Sequence, residues 1–140
     1  MFTIKEVILQ EEVNKQVKFL EEHLLDYEYD ITYAILVYDQ NKLIATASLA
    51  HNVMKCFAVK NDYSGQNITG LMFQHLVQVL KEHNIFHFFV FTTPDKEVIF
   101  SSFNMNIIVQ TMNTVLLEGG NNIIDVLTEL KTEYDISDNK

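Results

Sequence analysis

The stretch CFAVKNDYSGQNITGLMFQHLVQVL (56–80) brings together residue types suited to holding an anion. An apolar run ends at Lys60, a polar loop containing Gly65 follows, and a helical apolar stripe starts near Asn67. N–H groups in the first turn of such a helix lack intrahelical acceptors, and the helix dipole adds positive potential, so the junction could take a pyrophosphate. An ordinary strand-to-helix turn has the same pattern. His87, inside IFHFFVFTT (85–93), is the second candidate. An imidazole can take a proton from an amine near neutral pH, although a histidine among phenylalanines also serves as plain core. Cys56 is the single thiol. A nucleophilic role would need a neighbouring base or cation, and strand alternation turns Lys55 to the opposite face, so a buried small hydrophobe is the simpler reading.

Other chemistries find little support. One cysteine excludes an internal disulfide framework and any CxxC metal site. No acidic loop matches the calcium pattern, and neither a GxxxxGK[ST] phosphate loop nor a Ser-His-Asp elbow occurs, so no metal site is expected. The formal charge is -9, with 19 acids against ten basic residues, all of them lysine. Phosphate-backbone binding needs a basic face, so nucleic acid and anionic membrane surfaces are not expected partners. Acids crowd the start of the chain, at Glu6, Glu11, Glu12, Glu21, Glu22, Asp26, Glu28 and Asp30. They read as a solvated helix face, or as a field drawing in a cationic amine.

The elements that must position these groups follow from periodicity. The 140 residues, 48% hydrophobic, suit one domain. No apolar run approaches the roughly 20 residues of a membrane helix, and no signal peptide opens the chain, so a cytoplasmic location is expected. Residues 2–10 read as a strand. Val13, Val17, Leu20, Leu24 and Leu25 define a helical stripe ending near Asp26. Residues 31–39, 42–50 and 53–60 are β-branched or apolar runs separated by tight turns, hence a three-stranded meander. A helix follows from Asn67 to about His83, then a strand over 85–93 that reads as buried on both faces. Pro94 suits the start of a short helix reaching Phe103. Residues 106–118 read as two short strands or one bent hairpin, Gly119-Gly120 breaks the chain, and 121–131 reads as an amphipathic helix. His51 falls in a turn, and His23, His75 and His83 read as surface or boundary residues without partners. The order is β-α-β-β-β-α-β-α-β-β-α over a domain of 1–131, with a frayed tail at 132–140.

Ser64-Gly65-Gln66-Asn67-Ile68-Thr69 lies in register with Q/R-x-x-G-x-G/A, the loop after the fourth strand of the GNAT acyltransferase superfamily, and the chain resembles that superfamily. Serine stands in place of Gln or Arg, Asn67 in place of a glycine, and Thr69 in place of a small residue. KCFAV (55–59), FHFFVFTTP (86–94) and FNMNIIVQTMNTVLLE (103–118) are similar to the N-terminal GNAT-like domain of citrate lyase ligase, over roughly residues 1–130. The H-x-G-H motif of a following nucleotidyltransferase-like domain does not occur, as in an excised domain or a free-standing relative.

The resemblance implies an α+β, three-layer fold with a mixed, mostly antiparallel sheet flanked by helices. It implies an acyl-coenzyme A ligand, acetyl-coenzyme A or dephospho-coenzyme A included. Phe57 and Val59 would flank the pantetheine, and Ser64, Gly65, Gln66, Asn67, Ile68, Thr69 and Gly70 would cradle the pyrophosphate. His87 would be the catalytic base. Phe100 stands where many members carry an acidic tyrosine, and it has no hydroxyl. With no arginine, and Lys60 the lysine nearest the loop in sequence, coenzyme A and its 3′-dephospho form are expected to bind alike. Three readings stay open: an N-acyltransferase acting on an amine, a non-catalytic module binding coenzyme A or an acyl carrier protein, and an interaction domain with no small-molecule site. A homodimer is a further expectation.

Overall fold

Seven strands form one sheet in the order β1-β2-β3-β4-β5-β7-β6 in a computed structural model that describes residues 1–64 and 67–120. The strands are β1 (Phe2–Glu6), β2 (Tyr33–Asp39), β3 (Lys42–Ala50), β4 (Val53–Val59), β5 (His87–Thr92), β6 (Asn106–Gln110) and β7 (Val115–Gly120). The helices are α1 (Gln10–Glu22), α2 (Ile68–Glu82) and α3 (Glu97–Ser101), with 3-10 turns at Asn61–Tyr63 and Pro94–Lys96. The element order matches the sequence reading up to β7. The amphipathic segment 121–131 and the tail 132–140 lie outside the described residues.

All neighbouring strands pair antiparallel except β4 and β5, which are parallel. The two helices α1 and α2 lie on opposite faces. Phe57 packs into the cluster that holds Met72, Leu76 and Leu80 of α2, whereas its neighbour Ala58 packs with Phe19 and Leu20 of α1. Adjacent strand residues point to opposite faces, so the helices must sandwich the sheet. The result is the expected three layers. Gln16 ties α1 to the sheet: its buried Nε2 donates to Thr46 Oγ1 at 3.1 Å and Ser48 Oγ at 2.7 Å.

The ends of α1 depart from the sequence reading. Leu24 adopts φ 60°, with Leu24 N donating to Glu21 O and Leu25 N to Leu20 O. That is a Schellman closure without glycine, so the helix stops at Glu22 rather than near Asp26. Leu24 leaves the apolar stripe and is exposed, while Leu25 turns in against Phe19. At the start, Glu12 is not on a solvated face. It is buried, its Oε1 accepts from Ile8 N and Leu9 N, and its Oε2 lies 2.8 Å from Lys5 Nζ. The Leu9 amide, then Lys5, hold its carboxyl down to about 2.

Two further expectations give way. β5 is not buried on both faces: Phe88, Val90 and Thr92 are buried, while Phe91 is exposed. Gly119 and Gly120 do not break the chain but end β7 opposite Phe88 and His87. Gly120 has φ 72° and lies against the Phe86 carbonyl, where a Cβ would collide with backbone.

Candidate functional site

β4 and β5 pair only at Val53–Phe89 and Met54–Val90. Past Met54 the β5 side of β4 has no strand partner among the described residues, and the two strands part. A cavity of about 350 Å³ fills the opening. Phe57 and Thr92 line it from one face of the sheet, Cys56 and Phe91 from the other. The cavity therefore passes into the gap between strands rather than lying on a face. Leu24, Asp26 and Glu28, from the segment after α1, close the α1 side, and Thr93, Lys96, Asn113 and Thr114 complete the rim.

A bulge in β4 shapes this wall. Thr46 pairs with Ala58 and Ser48 with Lys55, so Cys56 and Phe57 together oppose Ala47. Cys56 takes φ 59°, the αL conformation of an extra bulge residue. The bulge corrects the simple alternation. Met54 and Phe57 share the α2 face, and Lys55 and Cys56 both meet the 26–30 segment, through Lys55 Nζ–Glu28 Oε1 at 2.6 Å and Cys56 Sγ–Asp26 O at 3.9 Å.

Lys55 also reaches Asp30 Oδ2 at 3.2 Å and sits 5.9 Å over the Phe91 ring. Burial alone would lower its pKa, but the hydrogen bonds and charges of Glu28 and Asp30 outweigh that and raise it. Sequence reading missed this group. The available signal was a lone lysine inside an apolar strand, which must find a counter-charge when buried. Burial pushes the Cys56 thiol up to about 11, with Glu28 adding to the effect. A thiol so raised is a poor nucleophile, in keeping with the packing role.

At the loop, Asn67 takes φ 56° and ψ 33°, the left-handed conformation that makes asparagine an acceptable substitute for glycine. Leu71 N donates to Asn67 O at 3.1 Å, starting the helix bonds. A Cβ on Gly70 would collide with the Asn67 amide, so the glycine gives Asn67 its place over the first turn. Ile68 is buried and anchors that turn, and Thr69 is half-buried. Ser64 precedes the turn, and Val59 pairs with Ala45 across β3–β4. Gly65 and Gln66 lie outside the described residues.

His87 is not among the residues lining the cleft. Its Nε2 lies 2.6 Å from Glu118 Oε2 on β7, and its ring is 4.9 Å from that of Phe89. It shares a face with Phe91, four residues on, about 13 Å away at roughly 3.3 Å per residue. His83 and His87 are four apart, but α2 ends before His83 and β5 begins at His87, so no helical face unites them. Among the described residues no group of three or more His, Cys, Asp or Glu could hold a metal ion. His75 is not unpartnered: its Nε2 is 3.0 Å from Tyr33 Oη. His23 and His83 each bond a carbonyl of the helix they follow. Phe100 is fully buried, packed edge-on to Phe57 at 4.9 Å.

This architecture is the fold of the GNAT acyltransferases. The ribosomal-protein-S18-alanine N-acetyltransferase of Escherichia coli superposes with a TM-score of 0.66 at 13% identity, over 88% of this chain and 99% of that one. The GNAT domain of S. lividans PAT superposes with a TM-score of 0.61 at 13% identity, over 84% and 89%. In sequence the chain is similar to the [citrate [pro-3S]-lyase] ligase of Klebsiella pneumoniae, 30% identical over 84 residues. The match takes in 60% of this chain but 25% of that protein, so the chain spans about a quarter of the curated relative. No family model matches the sequence. No described helix is long and apolar enough to cross a membrane.

Proposed function

We propose that the chain binds an acyl-coenzyme A in the opening between β4 and β5 and passes the acyl group to an amine acceptor. The observation that carries this reading is the parting of the strands after Met54 around a 350 Å³ cleft, with α2 beginning just beyond the end of β4. The likeness in fold to N-acetyltransferases supports the reaction class by analogy. First-turn N–H groups of Ile68, Thr69 and Gly70, with Ser64, Gly65, Gln66 and Asn67 around them, would hold the pyrophosphate. Phe57 and Val59 would flank the pantetheine arm.

The amine nitrogen attacks the thioester carbonyl; a C–N bond forms, the C–S bond breaks, and the thiolate leaves with the proton the amine gives up. Unpaired backbone N–H groups on the β5 side of β4 would meet the developing oxyanion. His87, hydrogen-bonded to Glu118, lies outside the cleft and beyond the span of one bridging water, so in this reading the amine gives its proton to water within the cleft. Asp26, which makes no ion pair among the described residues, would supply negative charge on the acceptor side, whereas Glu28 and Asp30 are committed to Lys55.

A second reading, binding without turnover, is favoured by Phe100. Its ring is sealed in the core against Phe57, and by the resemblance it stands where many members of the superfamily carry an acidic tyrosine, so it offers no proton to a thiolate. The module would then present a coenzyme-A-like group, or its protein carrier, to a partner domain. Thiol release from acetyl-coenzyme A with a panel of amines, run beside calorimetric titration of coenzyme A, separates the two. Thiol release above background supports transfer. Binding with no release supports the module, and no binding overturns both.

A further inference from the structure

The chain is strongly acidic, yet five of its ten lysines gather at one end of the sheet. A groove of about 280 Å³ beside the β2–β3 turn is lined by Lys15 and Lys18, three residues apart on α1, and by Lys60 at the end of β4. An adjoining hollow of about 360 Å³ shares Lys15, Tyr38 and Asn41 with it and adds Lys5. Lys42 begins β3 at the same turn, its Nζ 5.6 Å from the Tyr63 ring centroid. Lys5 is engaged by Glu12. Among the described residues no ion pair involves Lys15, Lys18 or Lys60. Sequence alone leaves Lys60 isolated near the loop; the packing of α1 on β3 and β4 brings two more ammonium groups to it.

Three like charges around one hollow repel each other, and a doubly charged anion relieves that repulsion. The rest of the lining limits what else the ligand carries. Phe19 and Leu43 contribute apolar surface, Tyr38 an aromatic ring and Asn41 an amide, with Glu22 the single carboxylate among the described residues of the lining. We propose that this groove binds a phosphate monoester carried on a flat aromatic body, the chemistry of a nucleoside phosphate. Two sources share that chemistry: a free nucleotide, and the 3′-phosphoadenosine end of coenzyme A held at the loop that starts after Lys60. The second source rests on the proposed coenzyme A binding and reverses the expectation that coenzyme A and its 3′-dephospho form bind alike.

The test uses the full chain at one low salt concentration. Adenosine 3′,5′-bisphosphate is titrated by amide NMR, and coenzyme A and 3′-dephospho-coenzyme A by calorimetry. The variants are Lys15→Ala/Lys18→Ala together and Lys60→Ala separately, with circular dichroism confirming that each folds. The bisphosphate should shift the amides of Lys15, Lys18, Tyr38 and Asn41. The double substitution should weaken it by about tenfold, as should a rise in salt across the range where exposed charges are screened. If the source is coenzyme A, it binds at least about fivefold tighter than the dephospho form, and the double variant loses that preference. Bisphosphate binding in the groove without coenzyme A binding supports a free nucleotide, and then it is the coenzyme A reading that fails. No response at those amides, or a response untouched by both variants, overturns the proposal.

Discussion

Lys55 and Glu28, 27 residues apart, meet at the wall of the cleft with Nζ 2.6 Å from Oε1. The lysine side chain is 11% exposed and the glutamate 39%. The pair holds the segment after α1 against the bulge of β4. Loss of the cation leaves Glu28 partly desolvated without a partner. Lys55→Met should cost about 1–2 kcal/mol, since the half-exposed carboxylate recovers some hydration. The folded-state pKa of Lys55 is raised, so its contribution is complete below the unfolded value of 10.5 and fades as pH climbs through the higher folded one. Urea melts should show this alkaline loss in the natural protein and not in the variant.

Cys56 should alkylate slowly. With its thiol pushed up to about 11, roughly one molecule in a thousand carries a thiolate at pH 8. The iodoacetamide rate should rise about tenfold per pH unit between pH 8 and 10. A fast, pH-independent rate would show that the cleft activates the thiol.

Phe100→Tyr should not confer acetyl transfer. The ring is enclosed by Phe57, Phe73 and Phe103, so the new hydroxyl is buried without a partner. We expect a stability loss of about 1–3 kcal/mol and unchanged thiol release. Thermal melts and the release assay read the two effects separately.

Gly120→Ala should be among the more damaging small substitutions, at about 2–4 kcal/mol. Its φ of 72° disfavours a side chain, and the Cβ meets the fixed Phe86 carbonyl oxygen. Gly70→Ala is the contrasting case. The obstacle there is the end of the Asn67 side chain, which can swing away, and alanine favours the helix. Stability should hold or rise by up to about 1 kcal/mol while coenzyme A affinity falls. Chemical denaturation of both variants checks the contrast.

Acid should unlatch the start of α1. Glu12 titrates at about 2 when folded, against 4.5 when free. Its stabilisation is present above 4.5 and is lost as pH falls toward 2. Glu12→Gln should flatten that part of the pH–stability curve, measured by urea midpoint from pH 5 to 2.

Periodicity alone determined the order of elements through β7 and the polar turn between β4 and α2, because both depend on residues close in the chain. The apolar stripe of α2, the meander of β2 to β4 and the αL tolerance of Asn67 are local properties of that kind. What only the tertiary structure decided involves residues far apart. The bulge at Cys56 appears only when β4 is laid against β3, and it brings Cys56 to the side where Lys55 meets Glu28. The separation of His87 from the cleft depends on where β4 and β5 part, a distance that no spacing in IFHFFVF encodes. The meeting of Lys15, Lys18 and Lys60 depends on how α1 packs over the sheet. Hydrophobic pattern specifies which face of an element is buried, but it is silent on which charges that burial brings together, since the driving force is non-directional.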